Sequence, residues 1–398
     1  MKNIVRLSLS MIGLLTVTTL IVLYSDGWRF NFNDKEKDNL ERVVKTGMLA
    51  MRSIPEGAQI YIDDNPVTAT DDTISSLTPK QYKIKLIKEG FETWEKDVEV
   101  YPELVTDITA VLVLMSPRLE PLTNTDVKAY ALSSNGNNIA FLTKNHEKPG
   151  VWVLPMNGTP LNIFSNNAQL LIADNSYGSP SLGEQIWWSP NDKEILVKMN
   201  ETGYLLYELS EQNNVNVKPT SITDVKEVLD RWHEEWINDF YNPKVESLKD
   251  DNQIPQWIKE SVPTIEQTWS PDDSKFFFTR TNPKNNQEKE VIVYNSEKPL
   301  PVGEERLYTS QTISAEDAKN TVYEWFSDSY HLIKVKRDPQ SLIYTVSLVR
   351  IDGTNETIVY TGTLSSNQAY PSPGGDKVIV LTSLKDNSPN NLYAIAIR

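Results

Sequence analysis

The sequence predicts a mainly β protein with an N-terminal transmembrane helix, a small β-sandwich and a five- to six-bladed β-propeller carrying a helical insertion. Three observations predict this fold: a long apolar segment at the N-terminus, then segments of alternating polar and apolar residues, then a turn phrase that recurs five times. The 398 residues are enough for two or three domains. A hydrophobic content of 39%, with 10 Trp and 17 Tyr, is enough to fill their cores.

Residues 4–24 form a segment whose only charged residue is Arg6. A helix needs about 20 residues to cross the hydrocarbon core, and this segment is long enough if the Arg6 side chain extends to the interface. Lys2 and Arg6 lie at its start and Asp26 follows it, so we expect a cytoplasmic N-terminus and an extracytoplasmic bulk. No small-x-small cleavage site follows, so we predict an uncleaved single-pass anchor in the cell membrane, residues 1–25, rather than a cleaved signal peptide.

Residues 26–45 are polar and charged, which predicts a juxtamembrane linker. From Thr46 the pattern changes to short strands separated by turns. The segments Tyr82–Leu86 and Asp97–Tyr101 alternate polar and apolar residues, as half-buried strands do. Residues 46–115 are therefore predicted to form a small antiparallel sandwich.

Several motifs in this region occur in a specific order: Pro55-Glu56-Gly57-Ala58, Tyr61-Ile62-Asp63, Thr78-Pro79, Lys88-Glu89-Gly90-Phe91 and a closing strand from Trp94 to Val100. In this order they resemble a PEGA domain, which is named for the first of them. The resemblance implies a small β module of prokaryotic envelope proteins. Pro55 and Gly57 are expected to set one turn and Gly90 another, without a catalytic role.

The turn phrase places Pro, Asn, Asp or Gly just before a β-rich run, as at a turn that enters a strand. Its copies are Leu132–Gly136, Trp188–Asp192, Trp269–Asp273, Trp325–Asp328 and Tyr370–Gly375. They resemble the W-S-P-D-G-K repeats of TolB-type or WD40-like propellers, which implies a propeller over residues 116–398. Asp192 and Asp273 stand where that pattern has glycine, and Phe326-Ser327 replaces Ser-Pro. Propellers host many unrelated functions, so the resemblance implies the fold and no activity.

The second and third copies in chain order are farther apart than one blade requires. Ser189 and Ser270 are separated by 270 − 189 = 81 residues, whereas a blade takes about 40–45. Apolar residues at helical spacing predict a helix from about Ile222 to Phe240, begun by a capping box at Ser221–Asp224 and ended near Pro243. With a short second helix near Trp257, this gives a helical insertion at about 222–262, docked on a blade edge.

The last blade ends without an outer strand, and Arg118–Thr123 is predicted to supply it and close the ring. The inserted helices carry the one candidate partner surface that we identify, formed by Trp232, Trp236, Phe240 and Trp257. Such an aromatic stripe most often docks on the body of the protein, which we favour; an exposed stripe would instead bind a partner.

Charge and composition exclude several functions. The net charge of −15 argues against nucleic acid and anionic membrane surfaces as partners. The absence of cysteine excludes thiolate chemistry. The three histidines have no ligand spacing, and neither a G-x-S-x-G elbow nor a phosphate loop is present, so we expect no catalytic set, cofactor or metal. Asp63-Asp64 and Asp71-Asp72 would suit calcium, but turn solvation is the favoured interpretation.

Acidic residues in the repeated turns are candidates for the carboxylates of a glycosidase, which would have to project into the central channel. The candidates are Asp192, Asp272, Asp273, Asp328 and Asp376. All lie in turns where Asp caps backbone amides, which is the favoured interpretation.

We therefore predict a non-enzymatic, membrane-anchored cell-envelope protein. It would bind or scaffold a protein or a cell-wall polysaccharide through its propeller and PEGA-like module. The alternatives are an envelope carbohydrate-active enzyme of propeller type and a protein hub within a secretion or division complex.

Overall fold

The computed structural model describes residues 2–25, 27–30, 43–156, 168–210, 214–249, 254–261, 268–384 and 388–398. The chain divides into two compact units. The first is Met1–Met115 with Glu297–Glu305, and the second is Ser116–Ser296 with Arg306–Arg398. The described structure is mainly β, as predicted.

The N-terminal helix α1 (Lys2–Ser25) is long and apolar enough to cross a membrane. Its Ser8–Ser25 window has a mean hydropathy of 1.8, a property that a signal sequence shares. The segment predicted to be a linker contains paired strands at its ends, because β1 (Trp28–Phe30) pairs antiparallel with β2 (Val43–Lys45). The rest of that linker, residues 26 and 31–42, lies outside the described residues.

Seven strands of the first unit form a sandwich. They are β3 (Gly47–Ile54), β4 (Gln59–Ile62), β5 (Asn65–Ala69), β6 (Asp72–Leu77), β7 (Gln81–Ile87), β8 (Trp94–Glu99) and β9 (Val105–Val111). One sheet has the order β5-β4-β7-β8 and the other β6-β3-β9. Alternate residues such as Leu49, Met51, Ile84 and Leu86 are fully buried between the sheets.

The prediction of a purely antiparallel sandwich was wrong, because β3 and β9 pair in parallel. After β8 the chain crosses from the four-stranded sheet to the three-stranded one, and β9 arrives beside β3 in the same direction. Such a crossing replaces the tight hairpin that an antiparallel pair would use.

The Pro-Glu-Gly-Ala tetrapeptide forms the turn between β3 and β4, as predicted. Gly57 has φ +80°, a conformation that favours glycine. The next residue, Ala58, is fully buried, and its N–H donates to the Thr70 hydroxyl at 2.9 Å. Lys88 Nζ donates to the Glu56 carbonyl at 2.8 Å. These contacts give the motif a structural role.

Twenty described strands of the second unit form five four-stranded sheets, which we call blades 1 to 5. Blade 1 contains β11 (Val127–Leu132), β12 (Asn138–Thr143), β13 (Gly150–Pro155) and β14 (Gln169–Ala173). Blade 2 contains β15 (Gln185–Trp188), β16 (Glu194–Lys198), β17 (Tyr204–Glu208) and β18 (Thr220–Ile222). Blade 3 contains β19 (Thr268–Trp269), β20 (Lys275–Asn282), β21 (Asn285–Asn295) and β22 (Leu307–Ser314). Blade 4 contains β23 (Thr321–Trp325), β24 (His331–Arg337), β25 (Ile343–Arg350) and β26 (Thr357–Thr363).

Blade 5 closes the propeller as predicted. It combines β27 (Ala369–Pro371), β28 (Lys377–Thr382) and β29 (Asn391–Ala396) with the outer strand β10 (Arg118–Pro121). The pairing runs from Arg118 opposite Ala396 to Pro121 opposite Tyr393. Joining the N-terminal and C-terminal strands of the propeller in one sheet closes the ring.

The helices begin and end differently from the prediction. They are α2 (Val225–Trp236), a π-helical turn (Ile237–Tyr241), α3 (Asn242–Lys249), α4 (Gln256–Ser261) and α5 (Ala315–Lys319), with a 3-10 turn at Pro180–Leu182. Asp224 caps α2 by accepting from Lys226 N at 3.0 Å, whereas Ser221 lies in β18. Pro243 does not end the helical segment. Its missing N–H would interrupt a regular α-helix, but the wider π turn just before it lets the chain continue into α3.

The helical insertion lies between blades 2 and 3 and not on a blade edge. Ile195 and Val197 of β16 face blade 1, so Leu196 points the other way, where it packs against Val228 and Trp232 of α2.

On the blade 3 side, Phe277 faces blade 4, so Phe276 and Phe278 point away from it. They pack against Leu248 of α3 and Ile258 of α4. The inserted helices therefore fill the space between blades 2 and 3. Residues 250–253 and 262 of the predicted insertion lie outside the described residues.

Candidate functional site

The ends of the innermost strands surround a cavity of about 390 Å³, which we call the turn-side cavity. The repeated turns of blades 1, 3, 4 and 5 line it, together with Phe240 of the π-helical turn. A second cavity of about 250 Å³ lies at the other ends of the inner strands, lined by Lys128, Glu184 and Gln368 among others. The turn-side cavity is the candidate functional site because the insertion and four blades contribute to it.

The serines of the turn phrase hold the turns together. In four blades a buried serine hydroxyl accepts the backbone N–H five residues later: Ser133 from Asn138 at 3.0 Å, Ser189 from Glu194 at 2.8 Å, Ser270 from Lys275 at 2.9 Å and Ser372 from Lys377 at 3.0 Å. Blade 4 has Phe326 at this position, and there the Asp328 carboxylate accepts the His331 N–H at 3.0 Å. The repeated phrase is thus satisfied within the protein and leaves no free serine nucleophile in these four turns.

The acidic residues that are candidates for catalytic groups also form hydrogen bonds within the protein. Asp192 accepts from the backbone N–H groups of Ser134 and Asn135 in the turn of blade 1, at 2.7 and 3.0 Å. Asp376 accepts from the Ser372 hydroxyl at 2.7 Å. Asp192 has φ +57°, which explains why the related repeats place glycine there.

Asp272 and Asp328 are held ionised by their surroundings. Burial acts to raise the pKa of Asp272, but hydrogen bonds from Ser270 at 2.6 Å and Ser274 at 3.0 Å outweigh it and lower the pKa. Burial likewise opposes ionisation of Asp328, and the His331 ring at 2.6 Å lowers its pKa. Neither group has the raised pKa that a general acid needs.

Glu324, a carboxylate that is not among the predicted site residues, lines the turn-side cavity together with Asp273. It is half-buried, and its carboxyl accepts the backbone N–H of Trp325 at 3.0 Å. Burial raises its pKa to about 7. No basic side chain of the described residues forms an ion pair with it.

A signal for Glu324 exists in the repeats. The residue before the first residue of the turn phrase is Ala131, Trp187, Thr268 or Ala369 in the other four blades and is charged only here.

Phe240, Trp269 and Trp325 provide the aromatic wall of the cavity. The Phe240 and Trp269 rings meet edge to face with centroids 6.4 Å apart. Lys244 Nζ lies 3.6 Å from the Phe240 centroid and 4.5 Å from the Trp269 centroid, and 2.5 Å from Asp273 Oδ1. Burial lowers the pKa of Lys244, partly offset by Asp273. This wall therefore already holds one ammonium group through cation–π contacts.

The indole of Trp269 differs from those of the neighbouring blades. Trp188 Nε1 donates to the Ala131 carbonyl at 3.2 Å and Trp325 Nε1 to the Thr268 carbonyl at 2.9 Å, each joining two blades. Trp269 Nε1 is buried without an acceptor in the part of the chain that the structure describes. On this side of blade 3 the insertion packs in place of a blade 2 strand, and none of the described residues supplies the corresponding carbonyl.

The four aromatic residues predicted as a partner surface have different positions. Trp232 is 6% exposed, and its Nε1 donates to Glu194 at 2.6 Å, so it is a docking residue. Trp257 is half-buried against Phe278. Trp236 is half-buried and stacks on Phe240, with centroids 5.9 Å apart. Of the four, only Phe240 lines the cavity. A partner role for Trp236, Phe240 and Trp257 stays a prediction.

The candidate metal ligands have other partners. Asp63 pairs with Lys80 at 2.8 Å and Asp64 with Lys85 at 3.0 Å. His146 packs on Trp152, with ring centroids 4.0 Å apart. Within the described ranges, no three His, Asp or Glu residues are grouped closely enough to hold a metal ion.

Comparison with known proteins confirms the predicted resemblance of the first unit: residues 46–115 match the PEGA domain family. No curated protein matches the chain.

Similar solved structures include TolB from Acinetobacter baumannii, at 13% identity and a TM-score of 0.24, covering 85% of this chain and 64% of that one. This chain thus spans less than two thirds of the length of that TolB. A putative TolB from Agrobacterium tumefaciens is 12% identical, with a TM-score of 0.23 and coverage of 89% and 99%. A putative 6-phosphogluconolactonase from Bacteroides uniformis is 10% identical, with a TM-score of 0.27 and coverage of 79% and 92%.

Proposed function

We propose that this protein is a non-enzymatic binding protein of the cell envelope, anchored by α1, whose turn-side cavity receives a segment of a partner protein. The PEGA match and the apolar N-terminal helix support the envelope location. The cavity itself carries the binding proposal.

The observation that carries the proposal is the composition of the cavity wall. A volume of about 390 Å³ lies within the ~300–1,000 Å³ of ordinary ligand sites, and such sites combine apolar walls with a few polar groups. Here three aromatic rings line the same cavity as the Glu324 carboxyl. Cell-wall polysaccharide is the other ligand class that aromatic rings would suit.

We predict that a photo-crosslinking residue at Asn137, in the cavity wall, captures a protein in native membranes. The matched control is Leu342, which is 56% exposed on the β24–β25 hairpin at the far end of blade 4. Capture should occur at Asn137 and not at Leu342, and Phe240→Ala should abolish it because that ring forms part of the wall. Recovery of polysaccharide alone from the Asn137 variant, or equal capture at both positions, would contradict the proposal.

A second candidate function is the carbohydrate-active enzyme, favoured by the pKa of about 7 at Glu324, which would suit a general acid. Glycosidases need a second carboxylate, and the other acid lining the cavity, Asp273, is paired with Lys244. Hydrolysis of envelope polysaccharide by the wild type, lost in Glu324→Gln, would replace the binding proposal with this one.

We also propose that the N-terminus lies in the cytoplasm and both β units outside it. Protease added to intact cells, with any outer layer made permeable, should then digest the chain down to a fragment near residues 1–25. The same treatment should leave a cytoplasmic marker protein intact. If the chain is cut only after lysis, the orientation is reversed, and a mature N-terminus beyond Ser25 would show that α1 is a cleaved signal peptide.

A further inference from the structure

We infer that the turn-side cavity recognises a positively charged side chain, a lysine or arginine presented by a peptide segment of the partner, and binds it on Glu324. This inference rests on the proposed function and adds the chemical class of the ligand. Four observations support it. The Glu324 carboxyl has no ion-pair partner among the described residues, and aromatic rings line the cavity. Backbone N–H donors in the blade 1 turn are already hydrogen-bonded, and the protein has a net negative charge.

The Glu324 carboxyl faces the cavity with no ion-pair partner among the described residues. Its hydrogen bond comes from the backbone N–H of Trp325, at 3.0 Å. A half-buried carboxylate in this position is costly unless a cation compensates it. A ligand that brings such a charge would gain a charge-assisted hydrogen bond to a half-buried carboxylate.

The aromatic wall is suited to the same charge. Lys244 already lies within cation–π distance of Phe240 and Trp269, at 3.6 and 4.5 Å from their centroids. Trp325 lines the same cavity next to Glu324. A lysine stem would pack on such rings while its ammonium reaches the carboxylate.

An anionic ligand fits this site poorly. Backbone N–H groups at a turn can bind an anion, but those of Ser134 and Asn135 in the blade 1 turn already donate to Asp192. The net charge of −15, from 39 basic and 54 acidic residues, also favours the approach of a basic partner.

Three other titratable groups bear on the charge of the site from the surrounding elements. Asp273 of blade 3 and Lys244 of α3 form an ion pair at 2.5 Å. Burial, and then the charge of nearby Glu324, raise the pKa of Tyr370 in blade 5 far above the neutral range. Glu324, with a pKa of about 7, changes its charge near neutral pH.

The test uses two terminally blocked pentapeptides, Gly-Ser-Lys-Ser-Gly and the same sequence with norleucine in place of lysine. They are titrated into the full chain in non-ionic detergent, and binding is followed by the indole N–H resonances of Trp269 and Trp325, assigned by Trp→Phe variants. The lysine peptide should shift both resonances and bind at least about tenfold more tightly than the norleucine peptide. Glu324→Gln should remove this difference, whereas Glu184→Gln in the other cavity should leave it unchanged.

The affinity for the lysine peptide should also depend on pH. With a pKa of about 7, roughly 3% of Glu324 is ionised at about pH 5.5 and roughly 90% at about pH 8, so affinity should rise about thirtyfold between them. Equal binding of both peptides, retained binding in Glu324→Gln, or no shift of either indole would overturn the inference. Capture of a protein at Asn137 tests the proposed function separately, because it does not depend on the charge of the captured segment.

Discussion

Phe276→Ala is expected to lower the free energy of unfolding by about 3–5 kcal/mol and to release the inserted helices from blade 3. The side chain is fully buried and packs against Leu248, Ile258 and Tyr294. Truncating a buried phenylalanine costs this much because it removes apolar contacts and leaves a cavity. Unfolding is measured by denaturant titration of the detergent-solubilised chain with far-ultraviolet circular dichroism.

Phe277→Ala is the matched control, because Phe277 is the next residue on β20 and faces blade 4. It should cost a similar free energy, but only Phe276→Ala should speed limited proteolysis within residues 225–261. Equal proteolysis of this segment in both variants would show that the helices are not held by the Phe276 face of blade 3. The comparison therefore tests the position of the insertion separately from general stability.

The local features of the fold were predictable because short-range chemistry determines them. The turn phrase places Ser270 five residues before Lys275, and at this spacing the Lys275 backbone N–H donates to the Ser270 hydroxyl where β20 begins. Ring closure was predictable for a related reason, since the last blade lacked an outer strand and Arg118–Pro121 offered one. The Gly57 turn likewise follows from its tetrapeptide.

The remaining features depend on contacts between residues that are distant in sequence. The parallel pairing of β3 with β9 depends on where the chain crosses between two sheets, and no local pattern records that crossing. The insertion could be predicted as helical, but its place between blades depends on which faces of β16 and β20 remain uncovered. In the repeats Glu324 stands out only as a charged residue at a position that is uncharged in the other four blades. Its place in a cavity depends on the convergence of blades 1, 3, 4 and 5.

Glu324→Gln is expected to stabilise the protein at about pH 8, by about 2 kcal/mol, while weakening binding of the basic peptide. Burial raises the pKa of this carboxyl from 4.5 to about 7 in the folded protein. At about 1.4 kcal/mol for each tenfold change in the ionisation constant, the shift corresponds to about 3 kcal/mol, and partial access of water reduces it to about 2.

The sign follows from the two protonation states. Between about pH 4.5 and pH 7 the unfolded chain has lost the Glu324 proton and the folded protein retains it, so folding takes up a proton and stability falls as pH rises. Above about pH 7 the folded protein bears the full cost of the buried charge. Below about pH 4.5 both states are protonated and the cost is absent, so the gain from Glu324→Gln should be present at about pH 8 and vanish near pH 4.

Denaturant titrations of wild type and Glu324→Gln at about pH 4 and pH 8 measure this difference directly. Asp272→Asn should change stability in the opposite direction, because hydrogen bonds from Ser270 and Ser274 lower the pKa of Asp272 despite its burial. That variant should lose stability at neutral pH and less at low pH. A Glu324→Gln gain that is the same at both pH values would mean that packing of the amide, and not the buried charge, is responsible. A gain confined to high pH, together with lost peptide binding, would mean that the protein retains a destabilising carboxylate for recognition.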